Sequence, residues 1–221
     1  MSFIVAIDGP AGSGKGTIAQ IIANKLNFTN IDTGAMYRCV ALYLLENNIE
    51  LNNESEIINN LEKININIDE NEKKVYMNDK DVTDKIRKPD VSKVVSQVSS
   101  VKEVRLKLID LQRKMASGKN VVMEGRDITT VVFPNADIKI YLDARLDVRA
   151  RRRYIEIVEK NKDIKYEDVL NNIIIRDKND KEKEFGALKI ANDAMVIDTT
   201  YLNIEQVADK IISIIKMKMK G

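Results

Sequence analysis

Positions 9 to 17 read Gly9, Pro10, Ala11, Gly12, Ser13, Gly14, Lys15, Gly16, Thr17. Glycines at this density let backbone N–H groups converge on one concave point, because no Cβ atoms intervene. Lys15 adds a compact point charge. Together they suit nucleotide phosphates, with the ammonium reaching the β and γ groups. The strict phosphate-loop pattern puts Ser or Thr directly after the lysine, whereas here Gly16 intervenes before Thr17. A glycine-rich turn with an exposed lysine is the plainer alternative, and the flanks decide against it. Phe3, Ile4, Val5, Ala6 and Ile7 form an apolar run that reads as a buried strand. Ile18, Ile21, Ile22 and Leu26 then recur at helical spacing, so a helix starts near Lys15. Its N-terminus carries unpaired N–H groups and the positive end of a dipole, which favour an anion.

Other charged residues fall where chemistry is plausible. Arg38, one turn into a helix, could hold a second phosphate or could be a solvated surface arginine. Arg126 and Asp127 follow a strand, where an open α/β sheet places its ligands; an ion pair bracing the loop would look the same. Arg149, Arg152 and Arg153 lie toward one side of a helix. They suit a lid that neutralises a transferring phosphoryl group, or a salt-laced solvated face. Arg176, Asp180 and Lys183, at i, i+4 and i+7, share a face of the next helix.

Composition removes several alternatives. No histidine occurs among the 221 residues, which excludes His-based catalysis and His-ligated metals. A single cysteine, Cys39, excludes an internal disulfide framework and a multi-cysteine zinc site, and on a helix it reads as a packed thiol. The formal charge of +2 is too balanced to argue for nucleic-acid binding, and the basic cluster at 149–153 lacks interleaved aromatics for base stacking. No apolar run reaches membrane-spanning length, and a core strand starting at Phe3 leaves no room for a signal peptide. The expectation is a cytoplasmic monomer whose partners are small molecules, with neither nucleic acid nor membrane.

The elements that must hold these residues follow from the apolar pattern. Core strands are predicted at 3–7, 27–32, 120–124, 138–142 and 194–198, alternating with helices. The second is expected to break at Thr33-Gly34 before a helix through Met36, Tyr37, Val40, Ala41, Leu44 and Leu45. Further helices are predicted at 55–63, on either side of a break at Ser99-Ser100, at 145–160, at 166–184 and at 204–216. Residues 64–84 differ: period-2 alternation between turn clusters at 69–72 and 78–81 argues a small antiparallel meander. The fold class is therefore α/β, a P-loop doubly wound five-stranded parallel sheet with a small antiparallel β insert and a helical lid. Residues 9–17, 32–34 and 125–127 fall at strand C-terminal ends and are expected to converge on one cleft.

Several segments, taken together, resemble the bacterial cytidylate kinases. They are Asp8 through Thr17, Asp32-Thr-Gly-Ala-Met-Tyr-Arg38, Ser96-Gln-Val98, Glu124-Gly-Arg-Asp127 with Thr130-Val-Val-Phe-Pro134, and Asp193-Ala194 with Ile197-Asp198. They cover essentially the whole chain in the family's order. The resemblance implies an ATP- and Mg²⁺-dependent kinase that converts CMP and dCMP to their diphosphates. It divides the chain into core (1–37), a CMP-binding region with the β insert (38–105), core (106–148), lid (149–186) and core (187–221). Residues 9–17 would bind ATP, with Thr17 as the protein ligand nearest Mg²⁺. Arg38 and Arg126 would bind the CMP phosphate, while Ser96, Arg105 and Asp127 would read cytosine beside Thr33. Arg176 and Asp180 would contact the sugar side, together with Lys183. Lys15, Arg126, Arg149, Arg153 and Arg176 would carry the transfer itself. Two positions depart from the family pattern: Lys183 stands where arginine is usual, and Ala187-Leu188 where Pro-Leu is common. The rival readings are another small-molecule kinase, such as an adenylate kinase, and a GTPase-like switch. The switch lacks its Asn-Lys-x-Asp and Asp-x-x-Gly runs here.

Overall fold

The computed structural model describes residues 2–69, 74–159 and 163–220. The described residues run through β1 (Ile4–Asp8), α1 (Lys15–Leu26), β2 (Thr29–Asp32), α2 (Thr33–Glu46) and α3 (Glu54–Leu61). Next come β3 (Ile66–Asp69), β4 (Lys74–Met77), β5 (Lys80–Asp81), α4 (Pro89–Val98) and α5 (Lys102–Ala116). They close with β6 (Val121–Gly125), β7 (Ile138–Asp143), α6 (Leu146–Val158), α7 (Tyr166–Glu182), β8 (Met195–Asp198) and α8 (Ile204–Lys220). The chain divides into two compact units, Met1–Asn30 with Gly118–Gly221, and Ile31–Ser117. No helix among the described residues is long and apolar enough to cross a membrane.

The first unit is built on the five-stranded sheet, in the order β2-β6-β1-β7-β8. β1 is central, paired in parallel with β6 and β7, and Val5, Ala6 and Ile7 are fully buried. A strand covered on both faces needs a continuous apolar run, and that is what residues 3–7 supply. Val5 and Ile7 meet Ile18, Ala19, Ile22 and Ala23 of α1 and Val207, Ala208, Ile211, Ile212 and Ile215 of α8 in one core. Each large aliphatic side chain buried there contributes about 1.5–3 kcal/mol. α6 and α7, the expected lid, lie in this unit and pack through Ala150, Val169 and Ile173 around Ala11. Tyr154 and Tyr166 meet edge to face between these helices at 5.9 Å. The helix expected over 145–160 ends at Val158 within the described residues, and Lys160 lies outside them.

The second unit holds α2 to α5 and an antiparallel sheet ordered β3-β4-β5. The strand breaks at Thr33 as expected, and Thr33 and Gly34 form the first turn of the helix that follows. The Asp32 carboxylate accepts the Ala35 N–H at 3.0 Å, so α2 starts directly after the strand. The turn expected over 78–81 is tighter. Asn78 and Asp79 take positive φ of 49° and 62°, and Met77 pairs with Lys80. A two-residue hairpin of this type needs φ > 0 at both positions, which Asn and Asp tolerate. The third strand therefore falls on Lys80–Asp81 rather than on Val82-Thr83. Of the turn expected at 69–72, residues 70–72 lie outside the described residues. Cys39 is fully buried on α2, and burial pushes its thiol up to about 12.

Candidate active site

The glycine loop leaves β1 at Asp8 and enters α1 at Lys15. Two of its glycines are required by close approach. A Cβ on Gly9 would stand 2.1 Å from the Leu142 carbonyl oxygen, and one on Gly12 would stand 2.9 Å from the Arg149 carbonyl oxygen. Both obstacles are backbone, which cannot step aside. Gly14 is the N-cap of α1 and makes no side-chain cap, so the first N–H groups of the helix keep their dipole end for an anion. Gly16 and Thr17 are exposed on that first turn.

Lys15 is only 5% exposed, and its Nζ donates to the Pro10 carbonyl at 2.8 Å and to Ser13 Oγ at 3.2 Å. Burial first, then the Arg126 guanidinium, lower its pKa to about 7, against the pull of Glu124, Asp8 and Asp180. An ammonium so poorly solvated gains more than a surface lysine does when phosphate oxygens reach it.

Two ion pairs flank the loop, one buried and one with its arginine half-buried. The Ala11 N–H donates to Asp177 Oδ1 at 3.0 Å, while Arg149 Nη1 donates to the Ala11 carbonyl at 2.8 Å and to Asp177 Oδ2 at 2.6 Å. Arg149 Nε reaches the Ala144 carbonyl at 2.9 Å. In the second pair, Arg126 Nε donates to Asp180 Oδ2 at 2.7 Å and Lys183 Nζ to Asp180 Oδ1 at 2.8 Å. Burial alone would raise the Asp180 pKa, but Arg126 and Lys183 hold it well below the usual carboxylate range. Burial would lower Arg126, and the same carboxylate raises it instead. Lys183 closes α7 as its C-cap rather than continuing the helix, yet it reaches Asp180 as an i, i+3 partner.

The other expected residues are spread more widely. Arg149, Arg152 and Arg153 do not face one side: Arg149 turns to the loop, Arg152 to the Thr199 carbonyl at 2.7 Å, and Arg153 to Glu156 at 2.9 Å. Arg176 is half-buried, one turn before Asp180 on α7. Asp127 is buried at the end of β6, just before an irregular turn at Ile128–Val132.

In the second unit, Thr33 is buried at the first position of α2. A Cβ on Gly34 would meet Arg38 Nη1 at 2.8 Å, so this glycine leaves room for the arginine. Arg105 is 2% exposed, with its guanidinium 5.6 Å from the Tyr37 ring centroid and Nη1 donating to the Ser99 carbonyl at 3.0 Å. Ser96 sits on α4, and its carbonyl accepts the Ser99 and Ser100 hydroxyls at 2.9 and 3.0 Å. The structure thus gathers residues 9–17, Arg126, Arg149, Asp180 and Lys183 in the first unit, and places Thr33, Arg38, Ser96 and Arg105 in the second.

Three residues of this chemistry were not singled out from the sequence. Asp8, adjacent to the loop, is fully buried with a carboxylate that faces the turn after β6. Asp177 lies one turn from Asp180, a spacing that marks a shared helix face. Tyr37 carries the cation–π contact.

Comparison with known proteins adds an independent line. The family model described as cytidylate kinase matches residues 5–217. A cytidylate kinase from Fusobacterium nucleatum is 53% identical over 206 residues, covering 93% of this chain and 94% of that protein. One from Carboxydothermus hydrogenoformans is 48% identical over 217 residues, covering 97% of each. A solved shikimate kinase from Acinetobacter baumannii, in complex with shikimate, has a TM-score of 0.50 at 14% identity and covers 98% of this chain and 94% of that one. That likeness is one of fold alone.

Proposed function

The chain belongs to the cytidylate kinase family, and on that footing we propose how its residues divide the work of phosphorylating CMP. It is a phosphotransferase, a nucleoside monophosphate kinase whose acceptor is CMP. The finer reading extends the acceptor to dCMP and takes ATP as the donor. The observation that carries the mechanism is Lys15, buried within the glycine loop and short of solvation, so that phosphate oxygens are its best partners.

The transfer needs no covalent intermediate. An oxygen of the CMP phosphate attacks the γ-phosphorus in line as the bond to the β-γ bridging oxygen breaks, and that oxygen leaves on ADP. The attacking oxygen is already deprotonated near neutrality, so no general base is required, in keeping with a chain that has no histidine. Catalysis then consists of positioning and charge neutralisation. Lys15 and the N–H groups of residues 9–17 hold the donor phosphates. Arg38 and Arg126 hold the acceptor phosphate, and Arg176 and Lys183 add positive charge under the control of Asp180. Ser96, Arg105 and Asp127 read cytosine, with Thr33 alongside. Arg149 fixes the loop through Ala11, and Arg153 reaches the phosphates only by leaving Glu156. Residues 149–186 close as a lid and exclude water, which would otherwise accept the phosphoryl group. The enzyme works as a cytoplasmic monomer.

Mg²⁺ fits the residues present. Among the described residues no group of three or more His, Cys, Asp or Glu is arranged to hold a metal. Mg²⁺ keeps most of its waters and leans on substrate phosphates rather than on a protein cage. The exposed Thr17 hydroxyl would hold it, and the ion would neutralise charge on the β- and γ-phosphates.

A coupled assay of ATP against CMP, dCMP, UMP and AMP tests the assignment. CMP and dCMP should dominate, because an Asp127 carboxylate that accepts the cytosine amino group meets another acceptor in uracil O4. Asp127→Asn should narrow the CMP-over-UMP ratio in kcat/KM. AMP as the preferred acceptor would transfer the reading to an adenylate kinase, and an unchanged ratio would remove Asp127 from base recognition.

A further inference from the structure

The ladder between β1 and β6 ends with Asp8 opposite Gly125. Beyond that rung the two chains part, one into the glycine loop and the other through Arg126 and Asp127 into the turn at Ile128–Val132. Backbone pairing no longer couples them. The Asp8 side chain does: Oδ1 accepts the Ile128 N–H at 2.9 Å, and Oδ2 accepts the Thr129 N–H at 2.7 Å and the Thr129 hydroxyl at 2.6 Å.

Such a turn leaves its first N–H groups to be satisfied from outside. Asp127 stands at the N-cap position, and its side chain makes no cap bond there. The cap comes from another strand. Both Asp8 and Thr129 are buried, so nothing but protein replaces these bonds if they are lost. We propose that Asp8 is a positioning residue, whose carboxylate locks the segment carrying Arg126 and Asp127 to the strand that launches the glycine loop. It sets the acceptor side of the reaction without touching substrate, and it rests on the reading that Arg126 and Asp127 hold CMP.

The lock depends on charge. An ionised carboxylate only accepts, and all three facing groups donate. Protonation would turn one oxygen into a donor, which neither N–H can accept and which the Thr129 hydroxyl could accept only by turning its own hydrogen elsewhere. Burial raises Asp8 to about 6, the Thr129 and Ile128 bonds oppose this, and Asp127 beyond the strand end adds to it. Lys15 on α1 and Tyr141 on β7 also feel its charge. The lock therefore holds at neutral pH and loosens as pH falls through about 6.

The test compares Thr129→Val, Asp8→Asn and the parent across pH 5 to 8, with KM and kcat measured separately for CMP and ATP. The CMP phosphate itself titrates near pH 6 with every enzyme, so the difference between variants is what reports Asp8. Carboxyl ¹³C NMR follows the Asp8 midpoint directly in the parent and in Thr129→Val. Thr129→Val should raise that midpoint, move the acid limb of kcat/KM for CMP to higher pH, and raise KM for CMP roughly threefold to tenfold, less than the full worth of one bond to a charged group because the effect reaches CMP through the turn. KM for ATP should stay within about twofold on the same bond count. Asp8→Asn, if folded, should keep only the substrate's own limb. A Thr129→Val enzyme whose Asp8 midpoint moves while its CMP kinetics and acid limb match the parent would overturn the proposal. Asp127→Asn and Arg126→Lys, run alongside, separate the two ideas. If they alter CMP kinetics and Thr129→Val does not, the lock alone falls. If they leave CMP kinetics unchanged, the acceptor assignment falls and takes the lock with it.

Discussion

Asp177 and Asp180 stand one turn apart on α7, both buried and each bonded to an arginine. Their surroundings differ in kind. Asp177 and its partner Arg149 spend their remaining bonds on backbone, at Ala11 N–H, the Ala11 carbonyl and the Ala144 carbonyl. Among the described residues the Asp180 carboxylate meets the tips of two side chains, Arg126 and Lys183, and Arg126 adds one long bond to the Gly125 carbonyl at 3.3 Å. Backbone partners are fixed by the fold, and no ligand can exchange them cheaply. Side-chain tips can trade a carboxylate for a phosphate oxygen at little structural cost. The first pair thus shapes the loop, and the second stores cations ready for nucleotide. Residue type and burial are nearly the same at the two sites, so the partner atoms carry the distinction.

The largest effect should come from Asp177→Asn, which leaves Arg149 buried with its counter-charge gone. Breaking a buried pair this way costs about 3–5 kcal/mol. For a chain of this size that lowers Tm by roughly 6–20 °C, read by thermal denaturation. A variant as stable as the parent would mean that the clamp on Ala11 holds nothing. Asp180→Asn should invert the pattern. Its kcat/KM for CMP should fall roughly tenfold or more, the worth of one hydrogen bond to a charged group, while its Tm falls less than that of Asp177→Asn. If Asp180→Asn loses as much stability and keeps full activity per folded molecule, the two sites are alike and the comparison fails.

Lys183 sharpens the contrast at the smallest scale. Its side chain is 5% exposed against Asp180, and an arginine there would offer a planar fork in place of a point charge. Lys183→Arg should preserve activity or tighten CMP. Lys183→Ala should lose roughly tenfold in kcat/KM, the low end for a single charged bond. Steady-state kinetics on both decide it. An alanine variant equal to the parent would leave Lys183 as a helix cap alone.

Local pattern made most of the fold legible in the sequence. All five core strands and the helices between them show in apolar runs and helical spacing. The glycine loop shows in its spacing, and the β insert in its alternation. What stayed hidden depends on long-range partners or on single backbone angles. Arg149 and Asp177 converge on Ala11 across separations of 138 and 166 residues, which no window over the sequence spans. Arg149, Arg152 and Arg153 of α6 look like one basic stripe until their separate acceptors are known. Thr33-Gly34 marks the end of the strand in the sequence, while the Asp32 cap that starts α2 at once, with Gly34 in its first turn, depends on where one side chain points. The role of Asp8 is invisible in the sequence because its donors, Ile128 and Thr129, are ordinary residues whose importance lies in where their N–H groups point.

The position of β1 at the middle of the sheet has a consequence for synthesis. It leaves the ribosome ahead of β6 and β7, the strands it pairs with. Just ahead of its first rung, the Phe3 N–H bonds to Asn120 Oδ1, 117 residues later. At about 5–20 residues per second that wait lasts roughly 6–23 s, during which an apolar strand has α1 beside it but no strand neighbour. The intervening residues 31–117 form a compact unit that is contiguous in the chain, so it can collapse before the sheet exists. The strand that launches the catalytic loop thus waits longer for a strand partner than any other strand of its sheet, and the nascent chain is most prone to aggregate over that interval.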